Sequence, residues 1–190
     1  MFKTTIFIPL LAVSLFFQAC SNETKKEEST TQKANAILST NEFPLRSIDN
    51  TQLTLQKTSQ GFYLKNDKNK LLLIDVFATW CPPCQASASH LSSLQKKYEK
   101  DIKVIGVSVE DNIDNAKLQE FATQHNATYT LVNSDQNRRL IDTLAQQLKL
   151  GNNFGIPLLA IYKDGKLIRF YQGATEEEFI ESDIKRALGK

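Results

Sequence analysis

The seven residues Leu71 to Phe77, LLLIDVF, constrain the fold more than any other stretch of this sequence. A strand with one wet face alternates apolar and polar side chains. A near-continuous apolar run is expected for a strand buried on both faces, at the centre of a sheet covered by helices. Asp75 interrupts the run and requires an explanation of its own. Shortly after the run comes Trp80-Cys81-Pro82-Pro83-Cys84, and then a helical period: Ser87, Leu91, Leu94 and Tyr98 recur on one face with Ala88 beside them. The two prolines suit a first helical turn, whose N–H groups have no helical partner. The spacing predicts a helix over Pro82–Tyr98.

The remainder alternates strand and helix signals. Phe43–Ile48 and Leu53–Gln56 are short strand candidates, and Ile102–Val109 (IKVIGVSV) is a second buried strand. Asp111 or Asn112 is expected to cap the next helix, with Ile113, Ala116 and Phe121 facing inward. Thr128–Val132 reads as a short strand. Leu140, Ile141, Leu144 and Leu148 stripe a helix that Gly151 would end. Pro157–Tyr162 and Leu167–Tyr171 flank Asp164-Gly165, a hairpin signal because the tight turn needs positive φ. Thr175 and Glu178 make a capping-box pattern for a last helix with Ile180, Ile184 and Leu188 inward, closed by Gly189. The order implies an α/β fold: a mixed central sheet with helices on both faces.

Lys plus Arg number 23 and Asp plus Glu 21, so no nucleic-acid partner is expected from the near-neutral balance. Three cysteines in 190 residues are too few for a disulfide-stapled mini-fold. One of them, Cys20, closes an N-terminal segment in which Lys3 precedes an apolar run from Ile6 to Phe17. That run is shorter than the roughly 20 residues a membrane-spanning helix needs, and it reads as a secretory signal over residues 1–19. Phe17-Gln18-Ala19-Cys20 resembles the lipobox of bacterial lipoproteins, which implies lipid attachment at Cys20. Residues 20–42 then form the anchor cysteine and a polar tether, and a single domain is expected over 43–190.

With Cys20 assigned to lipid, Cys81 and Cys84 remain as a pair. Two thiols three positions apart at a helix start can close a disulfide. Unpaired amides and the helix dipole favour an anion at the first of them, lowering its pKa toward ~7 from about 8.5. The second, one turn in, can resolve a mixed disulfide formed on the first. A structural metal site would need four ligands, and only His90 and His125 are available beyond the pair. His90 stands six residues past Cys84, about 240° round a helix, and points elsewhere. No metal or organic cofactor is expected.

Residues 73–84, LIDVFATWCPPC, resemble the active-site strand and loop of the thioredoxin superfamily, above all its membrane-anchored, extracytoplasmic thioredoxin-like reductases of the TlpA/ResA type. The resemblance continues through VIGVSVED, Gly155-Ile156-Pro157, the Asp164-Gly165 hairpin and the last helix, and so covers nearly all of 43–190. It implies a thioredoxin-like fold with the TlpA-type insertion between its βαβ and ββα halves. It also implies that Cys81 and Cys84 are the redox pair, that Pro157 is the cis-proline beside them, and that the Ile156 backbone pairs with substrate as an added strand. Trp80 matches the aromatic that flanks the thiols. Asp75, six before Cys81, matches thioredoxin's buried aspartate, whose raised pKa lets it take the proton from Cys84. Relatives often carry a basic residue, a Glu and a Pro in the following helix, where this chain has Gln85, Ser87 and Ser89.

The implied activity is reduction of disulfides in exported proteins, with apocytochrome c before haem attachment as one candidate. The enzyme would be a monomer anchored on the extracytoplasmic side and recharged by a transmembrane dithiol relay. An oxidase or isomerase of the same fold is the alternative within this chemistry, since direction depends on reduction potential against the compartment. A copper- or haem-binding module using both sulfurs is the alternative outside it.

Overall fold

The computed structural model describes residues 41–151 and 153–190. The expected signal segment over 1–19, Cys20 and nearly all of the expected tether lie outside the described residues. In chain order the elements are β1 (Glu42–Arg46), β2 (Gln52–Lys57), β3 (Phe62–Leu64), β4 (Leu71–Phe77), α1 (Pro82–Lys97), β5 (Ile102–Ser108), α2 (Asn115–Gln124), β6 (Thr130–Val132), α3 (Asn137–Gln147), β7 (Leu158–Lys163), β8 (Lys166–Gln172) and α4 (Glu177–Leu188). Among the described residues, no helix is long and apolar enough to cross a membrane.

β4 lies at the middle of a five-stranded sheet of order β6-β5-β4-β7-β8. It runs parallel to β5, from Leu71↔Ile102 to Phe77↔Ser108, and antiparallel to β7, with Val76↔Leu158. All seven of its residues are buried. Successive side chains of a strand point to opposite faces, and the two cores follow that parity. Leu71, Leu73 and Phe77 join Cys84, Ala88, Leu91 and Leu94 of α1, Phe121 of α2 and Ile184 of α4. Leu72, Ile74 and Val76 join Leu140, Ile141 and Leu144 of α3 and the apolar face of β1–β3. Each fully buried Leu or Ile contributes about 1.5–3 kcal/mol, and this double burial is the cause of the unbroken apolar run. The expected mixed sheet with helices on both faces is present. α2, β6 and α3 form the segment between the β4-α1-β5 half and the β7-β8-α4 half.

Several local expectations are corrected. The two short strand candidates are present as β1 and β2, and with three-residue β3, too short to show a period and not expected, they form a separate antiparallel sheet. α2 starts later than expected: Asp114, not Asp111 or Asn112, is its cap, and Asp114 Oδ1 accepts from the Lys117 N–H at 2.8 Å. The shift puts Leu118 inward with Phe121 and leaves Ala116 exposed. α3 ends at Gln147, short of Gly151, and Lys149 takes the left-handed turn at φ 57°. The capping box does not form: Glu176 occupies the cap without a side-chain bond, while Thr175 Oγ1 donates to the Gly173 carbonyl at 3.4 Å. The hairpin turn is as expected, with Asp164 and Gly165 at φ 51° and 77°.

Candidate redox site

The site begins where β4 leaves the sheet. Ala78 and Thr79 remain buried, Trp80 projects outward at 64% exposure, and α1 starts at Pro82. Cys81 is the N-cap of α1, in extended conformation, and is disulfide-bonded to Cys84 with Cα atoms 5.2 Å apart. Cys81 Sγ accepts from the Cys84 N–H at 3.3 Å. Pro82 and Pro83 carry no N–H, and the Gln85 N–H donates to the Cys81 carbonyl at 3.0 Å. Of the first helical amides, the one from Cys84 is therefore the donor that the Cys81 sulfur receives. Overall burial does not separate the two residues, since each cysteine is 3% exposed. Position separates them: Cys81 stands at the mouth of the helix, and its Sγ lies 3.9 Å from the Ile156 carbonyl oxygen.

Ile156 reaches that place from the loop ahead of β7, through a cis peptide bond to buried Pro157. Trp80, Val109, Ile141, Phe154 and Ile156 line a groove of about 490 Å³ beside the disulfide, with Arg138 and Asp142 at its polar margin. Apolar walls with a few polar groups are what a side chain flanking a substrate disulfide would require. The structure thus brings Trp80, Cys81, Cys84, Ile156 and Pro157 to one end of the sheet.

Asp75 shares its strand parity with Leu73 and Phe77, so its carboxyl enters the core on the α1 side, the side that holds Cys84. It is 3% exposed. The Tyr129 hydroxyl donates to Asp75 Oδ2 at 3.0 Å, and Oδ1 has no hydrogen-bond partner. Burial pushes the Asp75 carboxyl up to about 7, with the Tyr129 hydrogen bond pulling the other way.

Sequence reading missed the brace around Thr79. Both its N–H (2.7 Å) and its hydroxyl (3.0 Å) donate to the Glu110 carboxylate, which also receives Ser108 Oγ and Lys117 Nζ. Burial opposes ionisation of Glu110, but the hydrogen bonds from Lys117 and Thr79 outweigh it and hold its carboxyl below the ordinary range. From the other side, Gln85 Nε2 donates to the Thr79 carbonyl at 2.7 Å. The residue two before Cys81 is thereby fixed by the loop after β5 and by α1 together. The available signal was a Glu directly after an apolar strand that lies beside β4. Glu110→Ala leaves two donors of a buried residue unpaired and is expected to lower unfolding free energy by about 1–3 kcal/mol in urea titration.

His90 and His125 are half-buried, and the His125 ring packs 5.1 Å from that of Phe121. Among the described residues, no three His, Cys, Asp or Glu side chains are grouped to hold a metal ion.

The chain is similar to the thiol:disulfide interchange protein DsbE of Tatumella citrea, at 35% identity over 58% of this chain and 57% of that protein. It is also similar to the thiol-disulfide oxidoreductase ResA of Bacillus thuringiensis, at 27% identity over 65% of this chain and 66% of that one. It thus spans less than two thirds of either relative. Among solved structures, a thiol:disulfide interchange protein of the thioredoxin family from Chlorobium tepidum superposes with a TM-score of 0.59 at 17% identity, covering 79% of this chain and 95% of that one. StoA from Bacillus subtilis superposes with a TM-score of 0.54 at 14% identity, covering 75% and 95%. These structural likenesses establish a thioredoxin-like fold. The Redoxin family model matches residues 39–188, from just ahead of β1 to the end of α4, and the chain belongs to that family.

Proposed function

We propose that this chain is an extracytoplasmic protein thiol–disulfide oxidoreductase that reduces disulfides in exported proteins, apocytochrome c before haem attachment among them. The observation that carries the reading is the Cys81–Cys84 pair at the start of α1, with the first sulfur receiving a helix amide and facing the Ile156 carbonyl. Its similarity to proteins named as thiol-disulfide oxidoreductases supports it.

In the reduced enzyme the Cys81 thiolate attacks one sulfur of the substrate disulfide. That S–S bond breaks, a mixed disulfide forms, and the departing substrate thiolate takes a proton from solvent. Asp75 then accepts the Cys84 proton, and the Cys84 thiolate attacks the Cys81 sulfur. The second substrate thiolate leaves and is protonated. The substrate has gained two electrons and two protons, and the enzyme is left with the Cys81–Cys84 disulfide. A carboxyl poised near 7 is partly ionised at neutral pH, which is what such an acceptor needs. Trp80, Ile156 and Pro157 form the substrate-binding edge, with the Ile156 backbone available to an extended peptide. No organic cofactor enters these steps. Cys20 carries the lipid that holds the enzyme on the outer face of a membrane, and a transmembrane dithiol relay returns the disulfide to the dithiol.

The test is the redox state of the pair in intact cell envelopes, read by acid-quenched alkylation, with insulin reduction and copper titration on the purified chain. A mostly dithiol pair and catalytic insulin reduction are expected. A mostly disulfide pair would reassign the chain as a disulfide donor. Stoichiometric copper binding without turnover would make it a metal-binding module.

A further inference from the structure

We propose that Tyr129 is a positioning residue for the exchange reaction: its hydroxyl holds the Asp75 carboxylate ready to accept the Cys84 proton, and Gly106 is the opening that admits its ring. The inference rests on the reading of Asp75 as proton acceptor and extends it to two residues 54 and 31 positions away in sequence.

Tyr129 precedes β6 and is 6% exposed. Its ring belongs to the same core as Phe77, Cys81 and Cys84. A buried tyrosine hydroxyl needs a hydrogen-bond partner, and Asp75 Oδ2 at 3.0 Å is the one it has. Burial and the neighbouring carboxylate raise the tyrosine well above its ordinary range, so it stays a donor at any working pH. A donor of this kind favours the ionised carboxylate over the protonated one.

Gly106 lies opposite Asp75 on β5 and opposite Leu131 on β6. It sits mid-strand with no positive φ, so backbone freedom does not explain it. Space does: a Cβ built there would stand 2.8 Å from Tyr129 Cε2 and 2.7 Å from Leu131 Cδ2. Glycine within a strand weakens it, and close approach of a neighbour is a reason to keep one. A larger residue there would have to displace the Tyr129 ring, the Leu131 methyl or both.

Other ionisable groups on this side of the sheet are already engaged or lie elsewhere on their elements. At the C-terminal cap of α1, Tyr98 donates to Glu181, and on α1 His90 sits six residues past Cys84. At the C-terminal cap of α2, His125 packs against Phe121. Beyond β5, Glu110 binds Thr79 and Lys117. On α4, Asp183 pairs with Arg169 and Arg186. Cys81 and Cys84 are the reacting groups themselves. The influences on Asp75 are burial and Tyr129.

Tyr129→Phe keeps the ring and removes the hydroxyl. Two readouts follow: the Asp75 carboxyl titration by carbon NMR in the oxidised protein, and the pH profile of reporter-thiol release from a preformed Cys81 mixed disulfide. The NMR midpoint is expected to rise by about one to two pH units, the equivalent of losing a hydrogen bond to a charged group. The release profile is expected to move with it, while initial attack by Cys81 is unchanged. Gly106→Ala, which places a methyl against both the Tyr129 ring and Leu131, is expected to move the midpoint in the same direction. An NMR midpoint unmoved in both variants overturns the proposal. A midpoint that moves while the release profile stays overturns instead the assignment of Asp75 as proton acceptor, and with it any part for Tyr129 in exchange.

Discussion

Asp75→Asn is expected to gain stability relative to the unsubstituted protein by about 4 kcal/mol between pH 4 and pH 8, read by urea unfolding of the oxidised forms. The buried carboxyl is raised from 3.8 to about 7. Between those values the native state holds a proton that the unfolded chain has released, so unfolding free energy falls as pH rises. The contribution is whole below pH 4, is lost progressively up to pH 7, and is gone above it. A gap of about three pH units corresponds to about 4 kcal/mol. Asn does not ionise, so it lacks this slope. Glu110 and Glu181 are held low by their partners and slope the other way, but both proteins share them and they cancel in the difference. Parallel curves for the two proteins would mean that Asp75 is ionised in the fold at pH 5, and would remove it as a proton acceptor poised at neutrality.

The same residue marks where sequence reading reached and where it stopped. LLLIDVF is legible because burial on both faces writes itself into consecutive residues, and a single Asp there stands out against the pattern. Cys81-Pro82-Pro83-Cys84 is legible because a helix start has its own local chemistry. The Asp164-Gly165 turn is legible because positive φ restricts residue choice. What sequence did not give is what long-range packing decides. Tyr129 and Gly106 become partners of Asp75 only when β5 and β6 align beside β4. Glu110 finds Thr79 across 31 residues. The cap of α2 went to Asp114 rather than its polar neighbours, because three Asx residues precede that helix and local preference does not choose among them. At α4 the Thr175 hydroxyl donates to the Gly173 carbonyl instead of accepting from an N–H of the helix start.

The largest effects belong to the sulfurs, and the two substitutions should fail in different ways. Cys81→Ser is expected to lower disulfide reduction about a thousandfold or more, because no thiolate remains at the helix mouth to open the substrate bond. Cys84→Ser is expected to lose turnover as well, but to do so by accumulating covalent complexes. Cys81 in that variant still receives the amide of residue 84 and still borders Ile156, so attack proceeds and only resolution is lost. Non-reducing gels of envelopes expressing each variant make the distinction: high-mass species that collapse with dithiothreitol should appear with Cys84→Ser and be absent with Cys81→Ser. Equal exposure of the two cysteines makes this comparison the decisive one, since the order of attack rests on position at the helix start and not on access. Complexes trapped by Cys81→Ser instead would make Cys84 the attacking sulfur and reverse the mechanism.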